Sequence, residues 1–484
     1  MAKKNTKKCN HEALIAGLPE DASIDRIEQH PHSIELFVSW NEPGIGERFC
    51  PSCGSSRCVK KDSGIFQTVR HLPLGIRGTL ITFHKPRYRC KECGRTFYLK
   101  PKWLVKDISI TFPLLLDVYK RLVSSSASIK TIATDTHTST AIVRNIIDHF
   151  EMPHTTVLPE TIGIDEFKGG TGIYDPMLKR FVTEKYHCVI TDADEGFVVD
   201  VLFKPTYAYL ADFFKGIPLY ERQQVRFFCT DMRSGFSKVA RRFFPNAKIC
   251  IDPFHVTQLI TKAVGTVRID EWRRLNNAAA AVSVEASDAK ENGNHDLYAS
   301  LTAQVKSLSG DAALIKASQR ILTTSPYNGN RYWNLDETRR DRRLDEIFAI
   351  SPSLKAAYDA LMDFYDVTGC NSFAAKHSAL TKWLGTYTQC DLSPIRQAAY
   401  SIRYHRKGIE NAWRCRKSNS PTEGLNKKIK DVKRLAFGAH DFERFRKRVM
   451  LACGADSVEI SPYTIFGEKR SANESSSQEE KTDD

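Results

Sequence analysis

Alternating apolar and polar positions near the amino end of the chain predict β-structure. Residues 32–40 alternate over a full strand length, and shorter strand-like runs follow at 64–69, 79–84 and 86–89. A period of two places successive side chains on opposite faces of a strand. The pattern therefore predicts an amino-terminal ribbon of hairpins.

Helical periodicity follows the ribbon. Residues 112–124 predict an apolar helix, and residues 128–150 predict two short helices with a turn at 135–138. This arrangement resembles a helix-turn-helix, whose second helix enters the major groove of DNA. The exposed face of that helix would carry Thr140, Arg144 and Asn145. Because no glycine marks the turn, a simple helical hairpin is the alternative.

The middle of the chain combines short β-rich runs with helices. The predicted helices cover residues 207–215 and 237–244. The predicted strands, each a short apolar run, cover residues 161–167, 186–191, 197–203, 225–229 and 247–251. Strands interleaved with helices are typical of a mixed α/β sheet.

A long helical region separates this predicted sheet from the last basic helix. Residues 257–284 and much of 296–412 carry helical patterns, and residues 278–294 are predicted to be a flexible connection. The pattern indicates a large all-α insertion. Two roles remain open for it: handling of DNA ends, or contact between protomers.

Composition is typical of a globular protein without a membrane span. Apolar residues make up 41% and charged residues 26%, which argues against wholesale disorder. No apolar run approaches the roughly 20 residues of a membrane helix, and no apolar signal-peptide segment follows the basic first residues. Thirteen cysteines without an export signal predict reduced thiols in the cytoplasm.

Positive charge is concentrated in two stretches. The formal net charge is +14, and residues 50–106 alone hold 13 basic and 2 acidic residues, while residues 403–448 hold 15 and 5. Such stretches favour a polyanionic partner, although a merely basic surface is the alternative. The Ser-, Glu- and Asp-rich residues 470–484 predict a disordered acidic tail.

Two CxxC pairs, each followed by glycine, predict a structural zinc site in the ribbon. Four thiolates suit tetrahedral zinc, and the glycines permit the left-handed turn of each knuckle. The predicted ligands are Cys50, Cys53, Cys90 and Cys93. Cys58 and His71 are candidate substitutes, and unligated cysteines or a redox pair are the alternative. A closed site of four thiolates would stabilise the fold without performing chemistry.

Three acids are the candidate catalytic residues. Asp165 lies within the first strand of the predicted sheet, Asp231 directly follows the fourth, and Glu423 opens a late helix. A carboxylate in an apolar strand needs a compensating cation. Two Mg²⁺ ions about 3.5–4 Å apart would supply it and could activate water or a 3′-hydroxyl against a phosphodiester. Alternatively, Asp165 pairs with Lys168 or Lys185.

Glu423 also has a structural interpretation. The run Ser420-Pro421-Thr422-Glu423 matches a capping box with proline at the first helical position. At 100° per residue, Leu425, Ile429 and Val432 lie on the opposite face of this helix. The residues that share the face of Glu423 are Asn426, Lys427, Lys430 and Arg434. This cationic stripe is suited to a DNA backbone.

Four blocks of the sequence resemble one protein family. They are GIDEFKGGTG, TDM, FFPNAKICIDPFHV and SNSPTEGLNKKIKDVKRLAFGAHDFERFRKRVML. The same blocks, in the same order, are similar to the catalytic blocks of bacterial insertion-sequence transposases of the ISL-three family. The resemblance covers roughly residues 45–455. It implies a zinc-binding domain, a helix-turn-helix and an RNase-H-like DDE domain.

The resemblance also implies roles for individual residues. Asp165, Asp231 and Glu423 match the DDE triad, which would bind two Mg²⁺ or Mn²⁺ ions. Asp252 and His255 match a D-x-x-H motif after the fifth strand. This motif would support the active site, or its histidine would contact DNA. A satisfied structural histidine is the alternative.

The predicted fold class is α/β, with an RNase-H-like mixed sheet interrupted by a large all-α insertion and preceded by a zinc ribbon and a helix-turn-helix. The predicted regions are a lead-in at 1–45, the zinc ribbon at 46–106, the helix-turn-helix at 107–155, the first part of the catalytic core at 156–256, the helical insertion at 257–412, the second part of the core at 413–455 and a disordered tail at 456–484.

The predicted function is Mg²⁺-dependent DNA transposition. The chain would bind the terminal inverted repeats of its own insertion sequence, cleave a strand at each end and join the freed 3′-hydroxyl to target DNA, as a homodimer or larger assembly in the bacterial cytoplasm at the nucleoid. Lys427, Lys430 and Arg434 would position the phosphodiester. The alternatives are a zinc/helix-turn-helix regulator with an inactive α/β domain, and an RNase-H-like nuclease that cuts without joining.

Overall fold

The structure is a computed structural model of the 484-residue chain. It describes residues 16–18, 22–44, 47–105, 107–124, 127–150, 155, 157–325, 337–435 and 441–455. The predicted acidic tail and residues 1–15, 19–21 and 45 of the predicted lead-in lie outside these residues.

The amino-terminal strands form one sheet in the order β1-β2-β4-β3, with β5 paired to β4. They are β1 (Ala22–Gln29), β2 (Ser33–Trp40), β3 (Cys58–Leu74), β4 (Arg77–Cys90) and β5 (Thr96–Tyr98). The inward-facing apolar side chains pack around Ile81, Phe83 and Trp103. The predicted ribbon of hairpins is present, and β1 was not predicted.

The long β3–β4 hairpin replaces the short strands predicted at 64–69, 79–84 and 86–89. The pairing register shifts between Asp62 and Ile65, where Gly64 has a φ of +80°. A β-bulge of this kind bends a strand without ending it. Strand β3 therefore begins at Cys58, ahead of the bulge, whereas the predicted strand began at residue 64.

Three helices follow the ribbon: α1 (Phe112–Val123), α2 (Ile129–Asp135) and α3 (Thr140–His149). Ser128 and Ser139 cap α2 and α3, each accepting a hydrogen bond from a backbone N–H three residues later. The buried faces of the three helices form one apolar cluster. The predicted two-helix pattern is confirmed.

The turn between α2 and α3 uses a histidine where many such turns have glycine. His137 has a φ of +51°, in the left-handed region that an L-residue occupies at a cost. Its carbonyl accepts a hydrogen bond of 2.9 Å from Arg70 Nη1 in the ribbon. The ribbon thus supports this conformation.

A second, mixed sheet has the strand order β10-β9-β6-β11-β12. The strands of this part of the chain are β6 (Thr161–Lys168), β7 (Gly172–Asp175), β8 (Arg180–Thr183), β9 (Tyr186–Asp192), β10 (Phe197–Leu202), β11 (Phe227–Thr230) and β12 (Lys248–Ile251). Strand β9 is antiparallel to β6 and β10, and β11 is parallel to β6 and β12. This is the predicted RNase-H-like mixed sheet. The separate β7–β8 hairpin was not predicted.

Helices α4 (Tyr207–Lys215), α5 (Leu219–Gln224) and α6 (Ser234–Phe243) follow β10 and β11. Leu210 and Phe214 of α4 and Phe236 of α6 pack with the apolar side chains on one face of the mixed sheet. Burial of this apolar surface is the main stabilising contribution to such a layer.

The insertion between β12 and the last helices is all helical in the part that the structure describes. Its helices are α7 (Pro253–Glu291), α8 (His295–Ala317), α9 (Gln319–Thr323), α10 (Glu337–Ile350), α11 (Pro352–Gly369), α12 (Phe373–Tyr387) and α13 (Ser393–Cys415). The prediction of a flexible connection at 278–294 is wrong. Helix α7 continues to Glu291, because Ala279, Ala286 and Ala289 form a buried small-residue face.

Two further helices, α14 (Ser420–Leu435) and α15 (Phe442–Cys453), cover the other face of the mixed sheet. A buried ion pair of 2.7 Å between Arg446 Nε and Asp200 Oδ1 fixes α15 to β10. No described helix is long and apolar enough to span a lipid bilayer. The mixed sheet, with helices on both faces and a helical insertion, confirms the predicted fold class.

Candidate active site and metal centre

The two cysteine pairs form similar knuckles at one end of the ribbon. In each knuckle the glycine N–H donates to the carbonyl of the first cysteine, over 2.8 Å at Gly54 and 3.1 Å at Gly94. Both glycines have a φ of +71°. The predicted left-handed turns are therefore present, and they direct both thiols of a pair to one side.

The four thiols of the knuckles converge. Cys50 Sγ lies 3.6 Å from Cys93 Sγ, and Cys53 Sγ lies 3.6 Å from Cys90 Sγ. All four sulfur atoms lie within 4.8 Å of one another. Tetrahedral zinc with bonds of about 2.3 Å places its sulfur ligands about 3.7 Å apart, so the site fits a structural zinc ion.

Neither candidate substitute ligand is part of this cluster. Cys58 Sγ donates to the carbonyl of Ser55 at 3.4 Å. His71 is buried, with Nδ1 2.7 Å from Thr111 Oγ1 and Nε2 2.6 Å from the carbonyl of Ala16. Both side chains are therefore engaged within the protein.

Asp165 lies on β6, and Asp231 directly follows the adjacent parallel strand β11. Phe227 of β11 pairs with Thr161 of β6, and Cys229 pairs with Gly163. Continued by two residues, this register places Asp231 opposite Asp165. Neighbouring strands lie about 4.8 Å apart, and paired residues point to the same face. The two carboxylates therefore lie close together at the same end of the sheet, where β11 ends.

Glu423 reaches this end of the sheet because the amino end of α14 is docked directly on β6 and β9. Gly163 leaves room for the docking, since a Cβ there would overlap the hydroxyls of Thr422 and Thr191. Those two hydroxyls lie 2.7 Å apart. The Asn419 side chain also donates to the carbonyl of Ile164 over 3.3 Å. These buried polar contacts fix the start of the helix that carries Glu423.

The carboxylate of Glu423 contacts a histidine of the insertion. Its Oε1 lies 3.0 Å from His255 Nε2, although the angle is not that of a hydrogen bond. The D-x-x-H histidine thus lies beside the third acid. Helix α14 begins at Ser420 itself, so Asn419 rather than Ser420 precedes its first turn and the predicted capping box is not formed. The Glu423 side chain faces the site.

Asp252 connects the two ends of the insertion. Its Oδ1 accepts a hydrogen bond of 2.8 Å from the N–H of Phe254, at the start of α7. Its Oδ2 accepts another of 2.8 Å from the N–H of Asn419, just before α14. Asp252 is buried, so this carboxylate positions the elements that carry His255 and Glu423.

The electrostatics of Asp165 reflect its crowded surroundings. Burial raises the pKa of the Asp165 carboxyl to about 6, against the lowering effect of the backbone N–H of Glu166. The charges of Asp231 and Glu423 raise the pKa further, and His255 lowers it. Asp231, Glu423 and His255 therefore all lie within electrostatic range of Asp165.

Sequence reasoning missed two interactions at the site. Asn426 was placed on the exposed stripe of α14, but it is buried and its Nδ2 donates to Asp165 Oδ2 over 2.8 Å. Arg233 forms a two-pronged ion pair with Glu166, and its Nε lies 3.5 Å from Asp231 Oδ2. The described contacts pair Asp165 with Asn426 rather than with a lysine. Helical spacing from Glu423 was the available signal for Asn426.

The donor set fits divalent cations. Asn426 Oδ1 and His255 Nε2 are buried without a hydrogen-bond partner, beside carboxylates that raise the pKa of Asp165. Oxygen donors of this kind suit Mg²⁺ or Mn²⁺. Among the described residues, the acids do not form a cluster with every ligand atom within 4.8 Å. Asp165, Asp231, Glu423 and Asn426 are the side chains that would hold such ions.

The residues predicted to contact DNA lie on two helices. Arg144 and Asn145 of α3 are exposed, and Thr140 is half-buried. Lys427, Lys430 and Arg434 of α14 are exposed, and Arg434 Nη2 lies 2.8 Å from Asp431 Oδ1. Asn426 no longer belongs to this exposed set.

Comparison with known proteins identifies similar chains. Two transposases of insertion sequence elements are similar to this chain. The one for IS1001 of Bordetella parapertussis is 21% identical over 437 residues, which cover 89% of this chain and 94% of the relative. The one for IS1557, from two strains of Mycobacterium tuberculosis, is 26% identical over 280 residues, 57% of this chain and 56% of the relative.

Two family descriptions match the chain. Residues 47–93 match the zinc finger of the IS204/IS1001/IS1096/IS1165 transposases. Residues 162–449, more than half of the chain, match the ISL3-type DDE transposase domain. One match covers the mixed sheet and the other covers the four-cysteine cluster. The chain therefore belongs to the ISL3 family of insertion-sequence transposases.

Proposed function

We propose that the protein cleaves the ends of its own insertion sequence and joins them to target DNA, with Asp165, Asp231 and Glu423 as the metal-binding triad. The observation that carries the proposal is that Asp165 and Asp231 lie at the same end of the sheet, with the helix of Glu423 docked on β6, the strand of Asp165. Family membership supports the reaction class.

The residues around the triad would orient the acids. Asn426 holds one oxygen of Asp165, and His255 contacts Glu423. Arg233 bonds to Asp231 through its backbone N–H over 2.9 Å. When bound, two divalent ions activate the attacking hydroxyl or water and stabilise the leaving oxygen of the phosphodiester. Hydrolysis and strand transfer both need an in-line attack on phosphorus, so one set of acids serves both steps.

The other domains would bind double-stranded DNA. Arg144 and Asn145, which are exposed on α3, would contact base edges of the terminal inverted repeats, as the second helix of a helix-turn-helix does. The exposed Lys427 and Lys430 would contact phosphates near the acids without reading sequence. The zinc ribbon adds further exposed cations, Arg89, Lys91 and Arg95.

The assembly and the compartment follow from this substrate. Two element ends must be joined in one event, so we propose a homodimer or a larger homo-oligomer. The expected location is the bacterial cytoplasm, at the nucleoid where the DNA lies. The proposed region boundaries, 46–106 for the ribbon and 257–412 for the insertion among them, also stay predictions.

Substitution of Asp231 tests the proposal. Asp231→Asn keeps the size of the side chain and removes the charge that binds metal, so cleavage of end-containing DNA in Mg²⁺ should be lost while end binding persists. Asp194→Asn is the matched control, since Asp194 lies in a turn and pairs with Lys417 at 2.6 Å. Normal cleavage by Asp231→Asn would overturn the assignment of Asp231 as a metal-binding acid. End binding without cleavage by the wild type would support the inactive regulator instead.

A strand-transfer assay separates the transposase from a nuclease. Pre-cleaved, labelled element ends are incubated with a supercoiled plasmid, the protein and Mg²⁺. The proposal predicts that the label becomes covalently joined to the plasmid. Cutting of uncleaved ends without any joining would identify the nuclease alternative.

A further inference from the structure

Helix α13, the last helix of the insertion, has an exposed stripe in which aromatic and basic side chains alternate. The stripe consists of Tyr400, Arg403, Tyr404 and Lys407, spaced as i, i+3, i+4 and i+7 on one helical face. Tyr400 is 45% exposed and Tyr404 is 69% exposed. The Arg403 guanidinium carbon lies 4.8 Å from the centre of the Tyr400 ring. Below, these four residues are called the α13 stripe.

The α13 stripe lies at the same end of the sheet as the acids. Asn411 Nδ2 donates to the carbonyl of Ile249 over 3.0 Å, and a Cβ on Gly408 would lie 2.6 Å from Ile251 Cγ1. Helix α13 therefore runs antiparallel to β12. At a rise of about 1.5 Å per residue, Tyr404 lies about 6 Å beyond Ile251, past the carboxyl end of the strand.

The acid Asp231 lies at the same level. Thr230 pairs with Ile251, so Asp231 is the first residue beyond this end of the sheet. His405, next to Tyr404, is within electrostatic range of Asp231 and of Arg241 on α6. Phe254, 56% exposed at the start of α7, adds another aromatic ring beside His255.

We propose that the α13 stripe binds unpaired DNA bases next to the catalytic acids, with Tyr404 and Tyr400 stacking on bases and Arg403 and Lys407 contacting phosphates. This inference rests on the proposed function and specifies the form of DNA that the site takes. Exposed aromatic rings interleaved with cations are the surface that single strands occupy, because every base offers a stacking face.

Charge and position favour a nucleic-acid strand over a second copy of the chain. Both charged members of the α13 stripe are cations, and the face carries no aliphatic side chain at these four positions. A protein interface core is depleted of charged residues. The stripe also lies at the end of the sheet where Asp231 follows β11.

Comparison of two DNA probes tests the proposal. The probes are a blunt duplex and the same duplex with a short single-stranded thymidine tail, and fluorescence anisotropy measures their binding to the full-length protein without Mg²⁺. The wild type should prefer the tailed probe. Tyr404→Ala should reduce that preference about fivefold or more, as expected for the loss of one stacked base. Tyr404→Phe should keep the preference, because it keeps the ring.

Tyr220→Ala is the matched control. Tyr220 is 63% exposed on α5, which precedes β11 and so lies toward the opposite end of the sheet from Asp231. The control should bind both probes as the wild type does. An unchanged tail preference in Tyr404→Ala would overturn the proposal, and so would an equal loss of affinity for both probes. A change in oligomeric state with unchanged tail preference would overturn it in favour of a protein partner.

The binding assay is independent of cleavage. If the wild type fails to cleave element ends but its tail preference depends on Tyr404, the proposed reaction fails and the α13 stripe stands. If the wild type cleaves ends and Tyr404→Ala keeps the tail preference, the stripe proposal alone fails.

Discussion

At the scale of single residues, the site is defined by what surrounds Asp165. Its carboxylate accepts hydrogen bonds from Asn426 and from the backbone of Glu166, and it lies near two other acids. Burial and like charge make its ionised form unfavourable in the absence of cations. The ionised Asp165 carboxylate therefore imposes a free-energy penalty on the folded chain, and a bound cation would remove it.

This penalty predicts a pH-dependent gain in stability for Asp165→Asn. Because the folded pKa, about 6, lies above the usual value of 3.8, the folded state binds the proton more tightly than the unfolded state. The stability of the wild type should therefore fall as the pH rises from about 4 to about 6. Without Mg²⁺ at pH 7, Asp165→Asn should be more stable by up to about 3 kcal/mol.

Thermal unfolding over this pH range, with zinc retained, measures the difference between the two proteins. Addition of Mg²⁺ should raise the unfolding temperature of the wild type and leave that of Asp165→Asn nearly unchanged. A variant that is less stable than the wild type at neutral pH without Mg²⁺ would contradict this account of Asp165.

Gly163 is the second residue with a direct test. A methyl group at Gly163 would meet the hydroxyls of Thr422 and Thr191, so Gly163→Ala should displace the start of α14. We expect a stability loss of about 1–3 kcal/mol and a large loss of DNA cleavage. Gly235→Ala on α6 is the control, since a Cβ there would have nothing within 4 Å. Urea unfolding and a cleavage assay on both variants measure the outcome, and normal cleavage by Gly163→Ala would count against the docking of α14.

At the scale of elements, the zinc ribbon and the mixed sheet follow closely from local sequence. Each strand of the mixed sheet is a short apolar run, and the strand that ends before Asp231 was predicted within two residues of its observed bounds. Strand content could be predicted because burial on both faces requires continuous apolar residues. The bulge near Gly64 could not be predicted, because it depends on pairing with β4.

Zinc content tests the ribbon as an element. Cys90→Ser removes one of four converging thiols, so the purified protein should lose about one zinc ion per chain, as measured by elemental analysis. Cys58→Ser should keep its zinc, because the Cys58 thiol donates to a backbone carbonyl outside the cluster. Equal zinc content in Cys90→Ser and the wild type would show that the four-cysteine cluster is not the metal site.

At the scale of the whole molecule, the insertion leaves and rejoins the sheet at one point. Asp252 binds the start of α7 with one oxygen and the residue before α14 with the other. This carboxylate and the docking at Gly163 bring Glu423 to strands that lie far from it in sequence. The insertion can therefore be large without separating the acids.

These long-range contacts mark the limit of prediction from sequence. The three acids could be proposed from their positions at strand ends and from the family resemblance. Asn426, Arg233 and the α13 stripe were not assigned to the site, because their relation to it depends on packing between distant segments. Helical periodicity places a residue on a face but does not say what covers that face.

The most direct test of the central claim is anomalous diffraction from crystals of the protein grown with Mn²⁺ and element-end DNA. The account predicts two manganese peaks in contact with Asp165, one also bound by Asp231 and the other by Glu423. Manganese bound elsewhere, with these three carboxylates too far apart to share ions even on DNA, would contradict it.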